Sequence, residues 1–139
     1  MNQKEIEEYC LAKKGVVFDY KAEWEALRGQ VHNKMFILIA CNNEKKEIVS
    51  LKCDPLMAEA YRKEYKDVIP GYYLNKVHWN SIYMDGAVPD EVLKEMIDMS
   101  YNLIFQSLPK KIKEQIGEVW RLWSLKLMIA NVVQEKNVR

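Results

Sequence analysis

The sequence has little of several residue types that mark specialised protein classes. Its 139 residues include five glycines, four prolines and three cysteines, and the formal net charge at pH 7 is +1. So few glycines and prolines exclude a collagenous or low-complexity chain. A net charge near zero indicates no bulk preference for nucleic acid or for a membrane surface. With 49% hydrophobic and 29% charged residues, the chain has the composition of one globular domain.

The cysteines and the hydrophobic runs limit the cellular setting. Cys10, Cys41 and Cys53 are an odd number without CxxC spacing, and the first ten residues contain no apolar stretch typical of a signal peptide. The longest apolar-rich stretch, residues 119–133, contains two charged side chains and is shorter than the roughly 20 residues that a membrane-spanning helix needs. We therefore expect a cytoplasmic protein with no integral membrane segment.

Hydrophobic periodicity predicts a helix, four strands, a second helix, a fifth strand and a third helix, in that order. Their predicted ranges are residues 2–14, 16–20, 24–31, 35–41, 48–53, 55–66, 77–84 and 89–108. Gathered strands with segregated helices are typical of an α+β fold rather than of a parallel α/β sheet. We predict a two-layer sandwich in which an antiparallel sheet is covered by helices.

The densest group of functional side chains lies in residues 71–80, GYYLNKVHWN. In an alternating strand Lys76, His78 and Asn80 share one face, and Trp79 lies on the other. Such a face is basic and polar, and it can contact phosphates. The alternative is that the aromatic residues belong to the core or its rim and that His78 bonds a neighbouring backbone group, which is the commoner case for such residues.

Motifs for catalysis, metal binding and cofactor binding are missing from the sequence. It contains no HExxH, GxSxG, P-loop or GxGxxG pattern and only two histidines, His32 and His78. A Cys53–His78 nucleophile pair stays open, because such pairs meet in space, but a free cysteine is more commonly a small buried apolar residue. We expect a non-enzymatic protein with no cofactor and no metal.

Positive charge is distributed unevenly along the chain. Residues 1–104 contain 14 Lys or Arg and 17 Asp or Glu, a net −3, whereas residues 105–139 contain seven and three, a net +4. The predicted sandwich is therefore not broadly basic, which argues against strong non-specific DNA affinity. Lysines on its strands also protect sheet edges from aggregation, so local clusters alone do not indicate a partner.

Seven short segments stand in an order that matches a known family. They are KMF at residues 34–36, LKCDP at 51–55, PGY and NK within 70–76, HWN at 78–80, SY at 100–101 and LPKK at 108–111. Together they resemble the YjbR/MmcQ family of small bacterial proteins over residues 1–113. The resemblance implies a CyaY-like α+β fold and a proposed DNA-binding role through a double-wing arrangement of strands and loops. The iron binding of frataxin-like members is not implied, because the first helix lacks their dense acidic ridge.

Two functions compete on these observations. The first is a non-enzymatic module that binds DNA through basic strand and loop edges, with contacts from Lys34, Lys52, Tyr72, Lys76, His78, Trp79 and Asn80. The alternative is a protein-interaction or small-ligand module in which Tyr72, Tyr73, Trp79 and His78 line a cleft between sheet and loop.

Residues 114–139 form a separate C-terminal apolar extension, predicted as the end of a helix over residues 111–135. Eleven of the 15 residues in 119–133 are apolar. They form two stripes at helical spacing. The tryptophan stripe is Ile116, Trp120, Trp123, Leu127 and Ala130, and the leucine stripe is Leu122, Leu125, Ile129 and Val132. A helix that is apolar on two faces needs two partners. We predict a homodimer with Trp120, Trp123 and Leu127 near its centre; the alternative is a monomer whose own groove buries both stripes.

Overall fold

Local sequence features determine where the helices begin. The computed structural model describes the backbone of residues 1–138 and the side chains of residues 1–134. Asn2 and Glu5 form a reciprocal capping box at the first helix, and the Asp54 side chain accepts the free N–H groups of the second helix, whose first residue is Pro55. The helices are α1 (Gln3–Leu11), α2 (Pro55–Glu64), α3 (Asp90–Gln106) and α4 (Lys110–Val138).

Six strands form one sheet, in which every neighbouring pair is antiparallel. They are β1 (Val16–Lys21), β2 (Ala26–Val31), β3 (Lys34–Cys41), β4 (Glu47–Lys52), β5 (Val68–Pro70) and β6 (Trp79–Tyr83), and a 3-10 turn, Ala22–Trp24, joins the first two. The order across the sheet is β1-β2-β3-β4-β6-β5. The predicted α+β architecture, an antiparallel sheet covered by helices, is confirmed.

One face of the sheet packs against the helices and forms the core. Phe36, between β2 and β4, is fully buried and meets the ring of Tyr101 on α3 edge-on at 5.5 Å between centroids. Ser100 satisfies the polar backbone beneath α3, because its hydroxyl accepts the N–H of Lys52 at 2.9 Å and donates to the carbonyl of Phe36 at 2.5 Å. Burial of these apolar and hydrogen-bonded groups fixes α3 on the centre of the sheet.

The opposite face of the sheet is crossed by the segment between β5 and β6. The backbone N–H of Tyr72 donates to the Oγ of Ser81 on β6 at 2.9 Å, and Ser81 is itself 2.6 Å from the Oγ of Ser50 on β4. Further along the sheet, the hydroxyl of Tyr73 donates to Asn43 in the β3–β4 turn at 2.7 Å. Residues 71–78 are thereby held over the sheet, and they contribute to both candidate sites described below.

Helix α4 leaves the domain after its first two turns. Ile112 and Ile116 pack against the core, but beyond them the tryptophan stripe is exposed, with Trp123 at 53% of its maximal accessibility. A monomer whose own groove buries both stripes is therefore not what the structure shows. In the part of the chain that the structure describes, no helix combines the length and apolar character that a bilayer crossing requires.

Candidate functional site

Three neighbouring strands bring their basic residues to one end of the sheet. β3 begins with Lys34, β4 ends with Lys52, and β6 begins directly after His78. Because β3, β4 and β6 are adjacent and alternate in direction, these three strand ends lie side by side. At about 4.8 Å between strands, the row spans roughly 10 Å. We call Lys34, Lys52, Lys76 and His78 the basic end.

The loop before β6 is shaped by Asn75 rather than by strand pairing. Its Oδ1 accepts the N–H groups of Val77 at 2.9 Å and His78 at 3.1 Å, which curls the backbone into a turn. The prediction that Lys76, His78 and Asn80 share one face of a strand is therefore wrong, since β6 begins only at Trp79. Lys76 and His78 are both exposed, but on a turn.

Asn80 lies beneath the surface rather than on it. Its side chain is 2% exposed, and its Nδ2 donates to the carbonyl of Ala58 on α2 at 3.3 Å. Arg62, also on α2, donates from Nε to the Asn80 Oδ1 at 2.7 Å and from a terminal nitrogen to the carbonyls of Lys76 and Trp79. Asn80 is thus a positioning residue for the loop, and Arg62 is a second one that nothing in its sequence context indicated.

The residues of the basic end itself are at least partly accessible to solvent. Lys76 donates one hydrogen bond from Nζ to the carbonyl of Gly71 at 2.9 Å, which leaves two of its three N–H donors. Lys52 is half-buried and lies opposite the half-buried Trp79. Lys34 is exposed. Asp54 is the acidic residue nearest in sequence to Lys52. Its carboxylate accepts hydrogen bonds from the N–H groups at the start of α2.

Helix α4 starts at the same end of the sheet. A Cβ on Gly15, just before β1, would lie 2.8 Å from the side chain of Ile116 and 3.3 Å from that of Val31, the last residue of β2. Val31 in turn pairs with Lys34. Within two turns of Ile116, α4 carries three further lysines, Lys110, Lys111 and Lys113. They extend the positive charge beyond the three strand ends.

A separate aromatic cleft opens on the sheet face that residues 71–78 cross. Its volume is about 450 Å³. Its lining consists of Glu23, Trp24, Ala26, Leu38, Ala40, Cys41, Tyr73 and Leu74. Of the four residues predicted for a cleft, only Tyr73 lines it. The ring of Tyr72 contacts that of Tyr73 edge-on, at 4.3 Å between centroids. Trp24, which the sequence did not indicate, also lines the cleft, and Lys21 and Arg28 each lie 5.7 Å from its ring.

Cys53 and His78 contact each other through a hydrogen bond between their backbones. The N–H of Cys53 donates to the carbonyl of His78 at 2.8 Å. The thiol itself is buried against the sulfur of Met99 at 3.5 Å, and burial raises the pKa of Cys53 to about 11. A thiol with a raised pKa holds little of the reactive thiolate at neutral pH. Among the described residues, no group of three or more His, Cys, Asp or Glu side chains is arranged to hold a metal ion.

Comparison with known proteins gives relatives along most of the chain. The YjbR family model matches residues 11–103. The uncharacterized protein YjbR of Escherichia coli (strain K12) is 34% identical over 119 residues, which cover 86% of this chain and all of that protein. The uncharacterized protein YyaQ of Bacillus subtilis (strain 168) is 32% identical over 57 residues, 41% of this chain and 48% of that one.

Two solved structures have the same fold. The Deinococcus radiodurans protein DR2400, with a DUF419 domain, superposes with a TM-score of 0.74 at 28% identity, over 82% of this chain and 86% of that one. A Pseudomonas syringae protein superposes with a TM-score of 0.64 at 22% identity, over 75% of this chain and 99% of that one. With the family model and the full-length match to the Escherichia coli protein, these findings show that the chain belongs to the YjbR family.

Proposed function

We propose that this protein is a non-enzymatic module that binds nucleic acid through its phosphates, with the basic end as the contact surface. The observation that carries the proposal is the placement of Lys34, Lys52 and the Lys76–His78 turn on three adjacent strand ends. A row of roughly 10 Å is long enough to contact neighbouring phosphates of one nucleic-acid strand. Trp79, half-buried opposite Lys52, remains a predicted contact. Tyr72 does not belong to the basic end, because its hydroxyl accepts the N–H of Asn43 in the β3–β4 turn, at the other end of the sheet.

The build of the loop supports a binding role. Asn75, Arg62 and Asn80 fix the backbone that carries Lys76 and His78, so these side chains project from a rigid turn. A rigid platform lowers the ordering cost of binding. The buried, raised-pKa thiol of Cys53 gives no support to nucleophilic catalysis, and the three free cysteines fit a proposed cytoplasmic location, where thiols stay reduced.

The test is fluorescence anisotropy with a mixed-sequence duplex and a single strand, measured over a salt series. Lys34→Ala, Lys52→Ala and Lys76→Ala should each weaken binding to all sequences alike and lower the salt slope by about one. Lys66→Ala is the matched control, because Lys66 is exposed just before β5, at the opposite end of the sheet. Absence of binding at low salt, or an equal loss in the control, would contradict the proposal.

The aromatic cleft supports a second candidate function, the binding of a small planar ligand. Its volume of about 450 Å³ falls in the usual range for ligand pockets, about 300–1,000 Å³. Trp24 and Tyr73 line it together with Leu38 and Ala40, and this aromatic and aliphatic lining favours a flat apolar molecule.

Ligand-observed NMR with a set of planar cationic and neutral fragments tests this candidate. Trp24→Ala should abolish saturation transfer to the bound fragments, whereas Tyr20→Ala, which removes an exposed ring elsewhere on β1, should leave it unchanged. Transfer that survives Trp24→Ala, or no transfer to any fragment, would exclude the cleft as a binding site.

A further inference from the structure

Helix α4 exposes far more apolar surface than a single chain ordinarily leaves in water. Between Val119 and Val133, ten large apolar side chains are 37% to 69% exposed. Because one aromatic side chain accounts for about 150–250 Å², the ten amount to on the order of 1,000 Å². The largest apolar patch on a typical monomer is about 300–600 Å². Each partner in a standard protein interface contributes about 800 Å², so the helix supplies the area of a stable dimer.

An apolar groove runs along the base of the same helix. It encloses about 620 Å³ between two walls. One wall is the α1–β1 corner, with Leu11, Lys13, Gly15 and Val16, and the other is α4, with Gln115, Ile116, Val119, Trp120 and Trp123. Leu11 in the first wall is 47% exposed although it is a large apolar residue. The α4 wall of the groove, from Gln115 to Trp123, extends over about two helical turns.

The two stripes of α4 require two different apolar surfaces, and the groove provides both. A helix placed in it meets α4 on one side and the α1–β1 corner on the other. The tryptophan and leucine stripes lie on nearly opposite sides of α4, since their members are offset by about half a turn at 100° per residue. A helix with this pattern therefore fits between two apolar walls. Two α4 helices that contacted only each other would leave one stripe of each helix exposed to water.

We propose that the groove is filled by α4 of a second copy of this chain, laid antiparallel to the first. In this arrangement the partner's tryptophan stripe packs against Trp120 and Trp123, and its leucine stripe packs against the corner at Leu11. The exchange is reciprocal, so the same contacts form twice and the interface closes as a symmetric dimer. The proposal is independent of what the basic end binds.

The charges on α4 favour the antiparallel over the parallel orientation. The exposed segment carries only positive charges, Arg121 and Lys126, whereas Glu114 and Glu118 precede it. A parallel pair sets like charges beside each other at every level. An antiparallel pair that crosses near Leu122 keeps the two Arg121 residues near each other but sets Lys126 of each copy at the level of Glu118 of the other, an attraction that a parallel pair lacks.

The first experiment measures the mass of the full chain by light scattering and sedimentation at 1–100 μM, concentrations chosen on the order of ordinary dimer affinities. The wild type should be a dimer, and Trp123→Glu and Leu11→Glu should each shift it to monomer at 10 μM, about the middle of that range. Both substituted positions are exposed, so folding is checked by circular dichroism, and the spectra should be unchanged. The midpoint of thermal denaturation should fall in both variants, because association stabilises the folded chain.

Two control variants distinguish binding in the groove from non-specific hydrophobic association. Met128→Glu changes an equally exposed apolar residue on the polar side of α4, with Arg121 and Ser124, and Leu56→Glu changes an 80%-exposed leucine on α2. Both should remain dimeric. A monomeric wild type, including one that binds lipid vesicles, overturns the proposal. If Trp123→Glu dissociates the dimer and Leu11→Glu has no effect, the partner's helix does not insert into the groove, and the dimer is a pair of α4 helices alone.

The orientation is tested by the distance between spin labels at position 134. Gln134→Cys is made with Cys41→Ser, because Cys41 is the exposed native thiol and Cys10 and Cys53 are buried. With 24 residues between the two labels at 1.5 Å each, an antiparallel pair that crosses at Leu122 places them roughly 36 Å apart. A parallel pair places them within about 20 Å, the width of two adjacent helices, and that result would overturn the antiparallel arrangement.

Discussion

Arg62 donates a hydrogen bond from its Nε to the Oδ1 of Asn80 at 2.7 Å, and this contact joins α2 to the first residues of β6. The same guanidinium also donates to the carbonyls of Lys76 and Trp79. One side chain therefore closes the loop that carries the Lys76–His78 turn, and the basic end depends on a residue outside it.

Replacing Arg62 by methionine should destabilise the protein by about 1.5–3 kcal/mol, the usual loss for a hydrogen bond to a charged group. Methionine keeps much of the apolar stem, so the loss reports the hydrogen bonds to Asn80 and the loop carbonyls. Urea denaturation measures it. Lys63→Met, on the exposed neighbouring position of α2, should change the free energy of unfolding by less than about 0.5 kcal/mol; an equal loss in both would show that the bonds contribute nothing.

Two glycines at the base of α4 should respond to alanine in opposite directions. Gly15 has φ +78°, and its added Cβ would lie 2.8 Å from the side chain of Ile116, so Gly15→Ala should destabilise by about 1–3 kcal/mol. Gly117 lies within α4 with no atom within 4 Å of an added Cβ. Gly117→Ala should therefore stabilise by about 0.5–1 kcal/mol. Thermal denaturation checks both, and a neutral Gly15→Ala would contradict the close approach of α4 to β1.

The sequence predicts the long helices and strands of this fold better than it predicts the short strand β5 and the start of β6. Periodicity found the helices and five of the six strands, because burial on one face repeats at 2 or 3.6 residues. It missed β5, which is only three residues long and ends in Pro70. It extended β6 back to residue 77, because the Asn75 side chain that ends the strand pattern acts through a hydrogen bond and not through hydrophobicity.

The candidate sites could be predicted only in part for a related reason. Lys34, Lys52 and His78 are far apart in the sequence, and only the pairing of β4 with both β3 and β6 sets them side by side. Trp24 and Tyr73 line the same cleft only because the loop after β5 folds over the sheet. The apolar stripes of α4 were visible in the sequence, whereas the departure of the helix from the domain depends on where the packing surface of the core ends.

Alkaline pH should destabilise the protein through its buried thiols. Burial raises the pKa of Cys10 from 9.0 to about 12. Below pH 9 the thiol is neutral in both the folded and the unfolded chain, so its contribution to stability is fully present. Between pH 9 and 12 the unfolded chain loses the proton and the folded chain retains it, so the free energy of unfolding falls by up to about 1.4 kcal/mol per pH unit. Cys10→Ala should flatten this fall in urea titrations from pH 7 to 11, whereas Cys41→Ala at the exposed position should not.

The three thiols should also differ in their rates of reaction with a disulfide reagent such as DTNB. Cys41 is exposed at the end of β3 and should react first, whereas Cys10 and Cys53 are buried and have raised pKa values, about 12 and about 11. Both access and thiolate fraction limit the two buried thiols, because the thiolate is the attacking species. One equivalent should therefore react rapidly in the native protein at pH 8, and all three only in urea. Cys41→Ser should remove the rapid phase. A rapid phase that persists in Cys41→Ser and disappears in Cys53→Ser would instead identify Cys53 as an activated nucleophile beside His78. That result would contradict the proposal of a non-enzymatic protein.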